Sequence, residues 1–181
     1  MVASLIMATM PPITVLIAED HALLADALQM LLSTQAEVME GIDRLFDQLL
    51  PADFNAAAGY FSISSIAEGE AIFHEGDAGS FMCIIHSGQV SVQKTNSDGQ
   101  RVTVATLRKG AFGEMAVLDG ERRSASCVAA SHCQLLNLGK DSLEKMLNDA
   151  PKVAAKIIRA LAVSLSRRLR MVDGQLLAQQ D

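Results

Sequence analysis

The chain has 181 residues, half of them apolar and only 4% aromatic, with a formal net charge of −6. That length suits one domain with modest extensions, able to bury roughly two-thirds of its surface without a disulfide or metal to hold it together. The acidic balance argues against a general nucleic-acid binder, and the apolar runs are too short to span a bilayer.

The charge is uneven. Residues 1–60 carry one Arg against eight acids, whereas residues 151–181 carry six bases against two acids. The first 43 residues contain no Lys or Arg, which removes the basic start of a secretory signal. The three cysteines, Cys83, Cys127 and Cys133, are odd in number and lack CxxC spacing, so they read as reduced core residues of a cytoplasmic protein. The four histidines are scattered, and no metal site is expected.

In chain order, ITVLIAED (13–20) predicts a short buried strand and HALLADALQMLL (21–32) an amphipathic helix. Residues 41–59 read as two short helices, with Pro51 early in the second, where its missing N–H does least harm. From about 60 to 138 the period changes. Short β-type runs such as FMCIIHSG, QVSVQK and RVTVATL alternate with Gly-rich turns, which indicates a sandwich, roll or barrel rather than a parallel sheet. Ser97-Asp98-Gly99 marks a hairpin between two of these runs. Asp141 or Ser142 is a candidate cap for the helix SLEKML, with Glu144 completing a capping box if Asp141 is the cap. After Pro151 a long helix is expected, frayed near Gly174. Its stripe of Ile158, Leu161, Leu165, Leu169, Val172 and Leu176, widened by Val153 and Ile157, offers more apolar surface than one seam needs, so contacts to the strands and to a second subunit are both expected.

FGEMAVLDGERRSAS (112–126) asks for an explanation, because Glu114 interrupts an apolar run and two arginines follow a Gly-punctuated turn. A short helix over GEMAVLD exposes free N–H groups at its start, which favour a phosphate. Arg123 adds a planar, permanent cation suited to a phosphate diester. Glu114 accepts hydrogen bonds, and a sugar hydroxyl is the obvious donor. Phosphate and hydroxyl occur together in a nucleotide.

These residues resemble the cyclic-nucleotide-binding domain found in catabolite activators, kinase regulatory subunits and gated channels. FGEMAVLDGERRSAS is similar, without a gap, to the family's phosphate cassette F-G-E-L-A-L-x-x-x-x-P-R-A-A-T, and GEAIFHEGDAGSFMCIIHSGQVSV matches its upstream glycine pattern at Gly69, Gly76, Asp77 and Gly88. The resemblance covers about residues 41–172. It implies an α+β fold: an eight-stranded antiparallel β-roll, or jelly roll, flanked by N-terminal helices and a long C-terminal helix. It implies cAMP or cGMP as ligand and no separate cofactor. Glu114 would accept the ribose 2′-hydroxyl, Gly113 would let the backbone approach, and Glu114, Met115 and Ala116 would offer N–H groups. Arg123 would pair with the phosphate, Ser124 would add a hydroxyl, and Ala125 would keep the wall small. Val102, Val104 and Ile84 would line the base cleft, and Asp173 or a residue one turn earlier would cap the base. Two positions depart from the pattern: Arg122 replaces the proline, and Ser124 replaces the alanine common in cAMP binders, so the base stays open.

The rest of the chain divides into an extension (1–40) and a tail (173–181). PPITVLIAEDHALLADALQMLL resembles the opening of a receiver domain, with Glu19 and Asp20 like its acidic pair. But a receiver needs further strands and a phospho-accepting Asp in a stretch where this chain already enters the nucleotide domain, so the segment is at most a first strand and helix and no phosphotransfer is expected. RRLR (167–170) reads as a solvated helix face. The expectation is a stand-alone cyclic-nucleotide sensor that moves its C-terminal helix, dimerises through it and acts on an unknown effector, without membrane contact, direct DNA binding or catalysis. The alternatives are a ligand-independent dimerisation or scaffold module, and a truncated transcription regulator of the catabolite-activator type.

Overall fold

Apolar runs punctuated by glycine turns build the middle of the chain. The structure, a computed structural model, describes residues 15–16 and 50–178. The helices expected over 21–32 and 41–49, the pair Glu19 and Asp20, and the end of the tail lie outside the described residues. The chain order is β1 (Val15–Leu16), α1 (Pro51–Ala58), β2 (Phe61–Ile66), β3 (Ala71–Phe73), β4 (Phe81–Ser87), β5 (Val90–Thr95), β6 (Arg101–Leu107), β7 (Ala111–Phe112), α2 (Glu114–Asp119), β8 (Ser126–Ala129), β9 (Cys133–Gly139), α3 (Lys140–Asp149) and α4 (Pro151–Ala178).

Strands β2 to β9 are the eight antiparallel strands of a roll, in two sheets. One sheet has the order β1-β2-β9-β4-β7 and the other β3-β8-β5-β6. The head, the extension of residues 1–40, adds β1 outside β2, pairing Val15 with Ser64 and Leu16 with Ile63. The hairpin at Ser97-Asp98-Gly99 forms as expected between β5 and β6, closed by Asn96, whose side chain accepts from the Asp98 and Gln100 N–H groups.

The near-continuous apolar runs of β4 and β9 have a plain cause. Both strands are covered on two faces. Met82, Ile84, Leu136 and Leu138 pack toward the helices with Phe54, Leu143, Met146 and Ile157. Cys83, Ile85, Cys133 and Leu135 pack inside the roll with Ile66, Ile72, Phe73 and Phe112. All three cysteines are buried and free, in the small-core role expected of them.

Two helix expectations need correction. Helix α3 starts at Lys140, straight out of β9, and neither Asp141 nor Ser142 caps it. Its first N–H is instead satisfied across the roll, where Lys140 N–H donates to Ser80 O at 2.8 Å. Helix α4 continues through Gly174 to Ala178 rather than fraying there. Its buried line is Ala154, Ile157, Leu161 and Ser164, with Val153 beside it. The expected stripe follows that line only as far as Leu161. Leu165 is half-buried and Leu169 is 63% exposed, so the stripe has left the roll by Leu169. Helix α1 is pinned to α4 by Lys156 Nζ, 2.5 Å from Asp53 Oδ2, while Asp53 also accepts from the Leu50 N–H. Among the described residues, no helix is long and apolar enough to cross a membrane.

Candidate ligand site

Two short elements present the cassette. Strand β7 ends at Phe112, Gly113 turns the chain, and α2 begins at Glu114. Gly113 takes a φ of 72°, and a Cβ there would lie 2.7 Å from Arg123 Nη1 and 3.1 Å from the Phe73 ring. Glycine is therefore required twice, for the left-handed turn and for the approach of the arginine. At the far side of α2, a Cβ on Gly79 would meet the Ala116 Cβ at 2.1 Å, so the 74–80 loop lies directly against the cassette helix.

Arg123 is 97% buried, being only 3% exposed. Its guanidinium stacks between two rings, 4.0 Å from the Phe73 centroid and 4.9 Å from that of Phe81. Nη1 donates to Gly113 O at 2.7 Å and Nη2 to Phe81 O at 2.5 Å. Nε is buried and has no acceptor among the described residues. Burial pulls the guanidinium below its usual range, against the pull of the neighbouring Cys83, Cys127, Asp77 and Glu114; an arginine remains charged under such a shift. A buried cation with an unpaired donor fits a site built for an anion. Arg122 is different: it is exposed and spends its Nη1 on Gly76 O at 2.7 Å.

Glu114 is also buried, at 2% exposure. Its Oε1 lies 2.9 Å from Arg168 Nη1, and Arg168 Nη2 donates to Ala111 O. Arg168 comes from α4, so the long helix is tied to the cassette at the carboxylate and at the strand that precedes it. This contact was missed in the sequence, where RRLR read as a solvated face. The signal was present in the spacing, since Ala154, Ile157, Leu161, Ser164 and Arg168 continue one helix face at steps of three and four.

A cavity of about 220 Å³ opens between these groups. Gly113, Glu114, Met115, Ala116, Arg123, Ser124 and Ala125 all line it. Phe73, Phe112 and Arg168 join them, with Val92, Ala105 and Leu107 as the apolar wall. The expected base-cleft residues do not. Ile84 faces the helices, and Val102 and Val104 are 40% and 55% exposed. Ala105 and Leu107, paired with Val92 and Val90, supply the wall instead, and the β5–β6 register shifts just beyond them, leaving Val104 without a partner in the ladder. Nothing is described of the Asp173 side chain. Cys127 also lines the cavity, but burial pushes its thiol up to about 12, and it stays neutral. The arrangement offers a fixed cation, a fixed carboxylate and an apolar wall. Among the described residues no cluster of His, Cys, Asp and Glu could hold a metal.

Residues 63–150 match the sequence profile of the cyclic nucleotide-binding domain. The cyclic AMP receptor protein of Thermus thermophilus is 38% identical over 133 residues, which are 73% of this chain and 60% of that protein. The chain thus spans about three-fifths of that relative's length. The solved N-terminal domain of a transcriptional regulator from Streptomyces coelicolor is 31% identical, with a TM-score of 0.60 over 72% of this chain and 91% of that one. A cyclic nucleotide-binding domain from Methylobacillus flagellatus shares the fold, with a TM-score of 0.73 at 24% identity over 88% of this chain and 85% of that one. With the profile falling on the roll, and the cassette residues gathered at its cavity, the chain belongs to the cyclic nucleotide-binding domain family.

Proposed function

We propose that the chain is a regulatory sensor that binds cAMP or cGMP in this cavity and signals through α4. The observation that carries the reading is the placement of Arg123, Glu114 and Arg168 around one cavity, with the last of them on the long helix. Arg123 offers Nε and its remaining N–H groups to the cyclic phosphate, helped by the backbone of Glu114 to Ala116. Glu114 accepts the ribose 2′-hydroxyl, and Ser124 adds a donor to phosphate or base. Ala125 keeps the wall open. The cavity opens to solvent, so a nucleotide can enter it with part of its surface outside. Arg168 is the wall residue that α4 carries. Ligand contacts made in one helix position and not the other then shift the helix between them.

In this reading the binding domain occupies about residues 41–172, the protein is cytoplasmic, and it is not an enzyme. The apolar stripe of α4 that includes Leu169, 63% exposed, is the surface through which it dimerises. Calorimetric titration with cAMP and cGMP tests the reading. Micromolar or tighter binding that Arg123→Ala weakens by about thirtyfold or more is expected. Absence of binding to either would leave the ligand-independent dimerisation module.

A second reading rests on the likeness to the Thermus and Streptomyces regulators. Here the same helix movement controls a DNA-binding element supplied elsewhere. A nucleotide-dependent, salt-sensitive mobility shift on DNA in the presence of such an element would favour it.

A further inference from the structure

The roll contains a second cavity, larger than the first, at about 360 Å³. It lies on the β2 and β9 side, with Ser62, Ser64, Ile66 and Asn137 from those strands and Ile72 and Phe81 closing it inside. Gly59, Tyr60 and Ser142 form its lip, where α1 runs into β2 and α3 begins. None of its described lining residues is charged at neutral pH. Those residues offer a phosphate or carboxylate no compensating charge, which favours an uncharged occupant.

Its described polar side chains are Tyr60, Ser62, Ser64, Asn137 and Ser142, and those of Ser64 and Asn137 are fixed by a shared hydrogen bond. Ser64 is 2% exposed, and its Oγ accepts from Asn137 Nδ2 at 2.9 Å. Asn137 Oδ1 in turn accepts from Cys83 Sγ at 3.3 Å. The bond that Ser64 accepts uses a lone pair and leaves its hydroxyl proton to donate. A well-formed apolar cavity with one or two oriented polar groups is the usual form of a small-molecule site, and its volume falls in the usual range of ~300–1,000 Å³. Phe81 gives it a connection to the first cavity. The ring lines this cavity and stacks on the Arg123 guanidinium at 4.9 Å.

We propose that this cavity is a second ligand site, taking a small uncharged molecule that is mostly apolar and carries a hydrogen-bond acceptor for Ser64. An occupant touching Phe81 lies one ring away from the buried arginine. The site is independent of whether the first cavity takes a nucleotide.

Prodan, an uncharged naphthyl ketone whose emission moves to the blue in apolar surroundings, is the probe. Titrated into the full-length chain, it is expected to give a saturable blue-shifted signal at about one equivalent. Ser62→Trp and Ser142→Trp, both at half-buried positions on the rim, are expected to weaken binding by about tenfold or more through filling the entrance. Ser64→Ala keeps the shape and removes the donor, and is expected to weaken it several-fold; this variant carries the test if the tryptophan variants melt early. No saturable signal from the full-length chain overturns the proposal. So does binding that is unchanged in all three variants.

Discussion

Replacing Arg123 by Ala separates two roles that the structure gives one side chain. In the folded protein the guanidinium donates to two buried carbonyls, Gly113 O and Phe81 O, and stacks on two rings. Hydrogen bonds from a charged donor contribute about 1.5–3 kcal/mol each, but burying the cation costs several kcal/mol in desolvation. The two terms largely offset, so the variant should remain folded, with stability lowered by about 1–3 kcal/mol. Binding has no such offset, because the cost of burial is already met in the free protein. Losing the charge-assisted contact to a cyclic phosphate should cost about 2–4 kcal/mol, or roughly thirty- to several-hundred-fold in Kd. Arg122→Ala is the matched control, since that side chain is exposed and bonds only to Gly76 O among the contacts described. Calorimetry with cAMP and cGMP on both variants, with denaturant melts to fix the folded fraction, gives the comparison. Equal losses in the two variants would refute the assignment. So would an Arg123→Ala protein that is fully folded and binds within about threefold of the parent.

Gly113→Ala should destabilise the protein by about 1–3 kcal/mol, because the residue sits at φ 72° with Arg123 Nη1 only 2.7 Å from the added Cβ; urea unfolding reads this directly. Arg168→Gln breaks the 2.9 Å pair with Glu114, and nucleotide should then no longer slow amide hydrogen exchange in α4, although exchange in the strands still responds. Asp53 is held below the usual carboxylate range, chiefly by its bond to Lys156 and then by the Leu50 N–H. A lowered pKa means that the unfolded chain binds more protons near pH 4, so stability rises with pH there. The contribution is present above the ordinary carboxyl range and lost as pH falls through the folded value. Parent and Asp53→Asn stabilities should therefore diverge above about pH 4 by under ~1 kcal/mol, the pair being partly exposed, and converge in stronger acid.

The cassette was legible because each of its residues solves a separate local problem. Gly113 must turn left-handed, Glu114 must be polar inside an apolar run, and Arg123 must end the loop with a cation. No other pattern in the chain makes those demands at that spacing. The roll was legible for a similar reason, in the strand spacing and glycine turns. What stayed hidden depended on which face of a strand or helix packs. Ile84 and Cys83 are neighbours of similar burial, yet one faces the helices and the other the roll. Ala105 and Leu107, opposite Val92 and Val90, face the cavity, whereas Val102 and Val104 lie beyond the register shift in β5–β6 and do not line it. Arg168 was hidden by composition, because a basic cluster on a helix is most often solvated. Its partner Glu114 lies 54 residues earlier, beyond the reach of any local pattern.

The pairing of β1 with β2 has a bearing on solubility. A strand left at the margin of a sheet offers unpaired N–H and C=O groups to any extended chain that reaches it. Here part of that margin, at Ile63 and Ser64, is covered by the head through its backbone bonds at Val15 and Leu16. A shortened protein beginning after residue 40 would keep the cassette and bare those groups. Such a protein should self-associate with rising concentration more readily than the full-length chain, even if its ligand affinity is unchanged. The head would then act as a guard against the chain's own copies, whatever else it does.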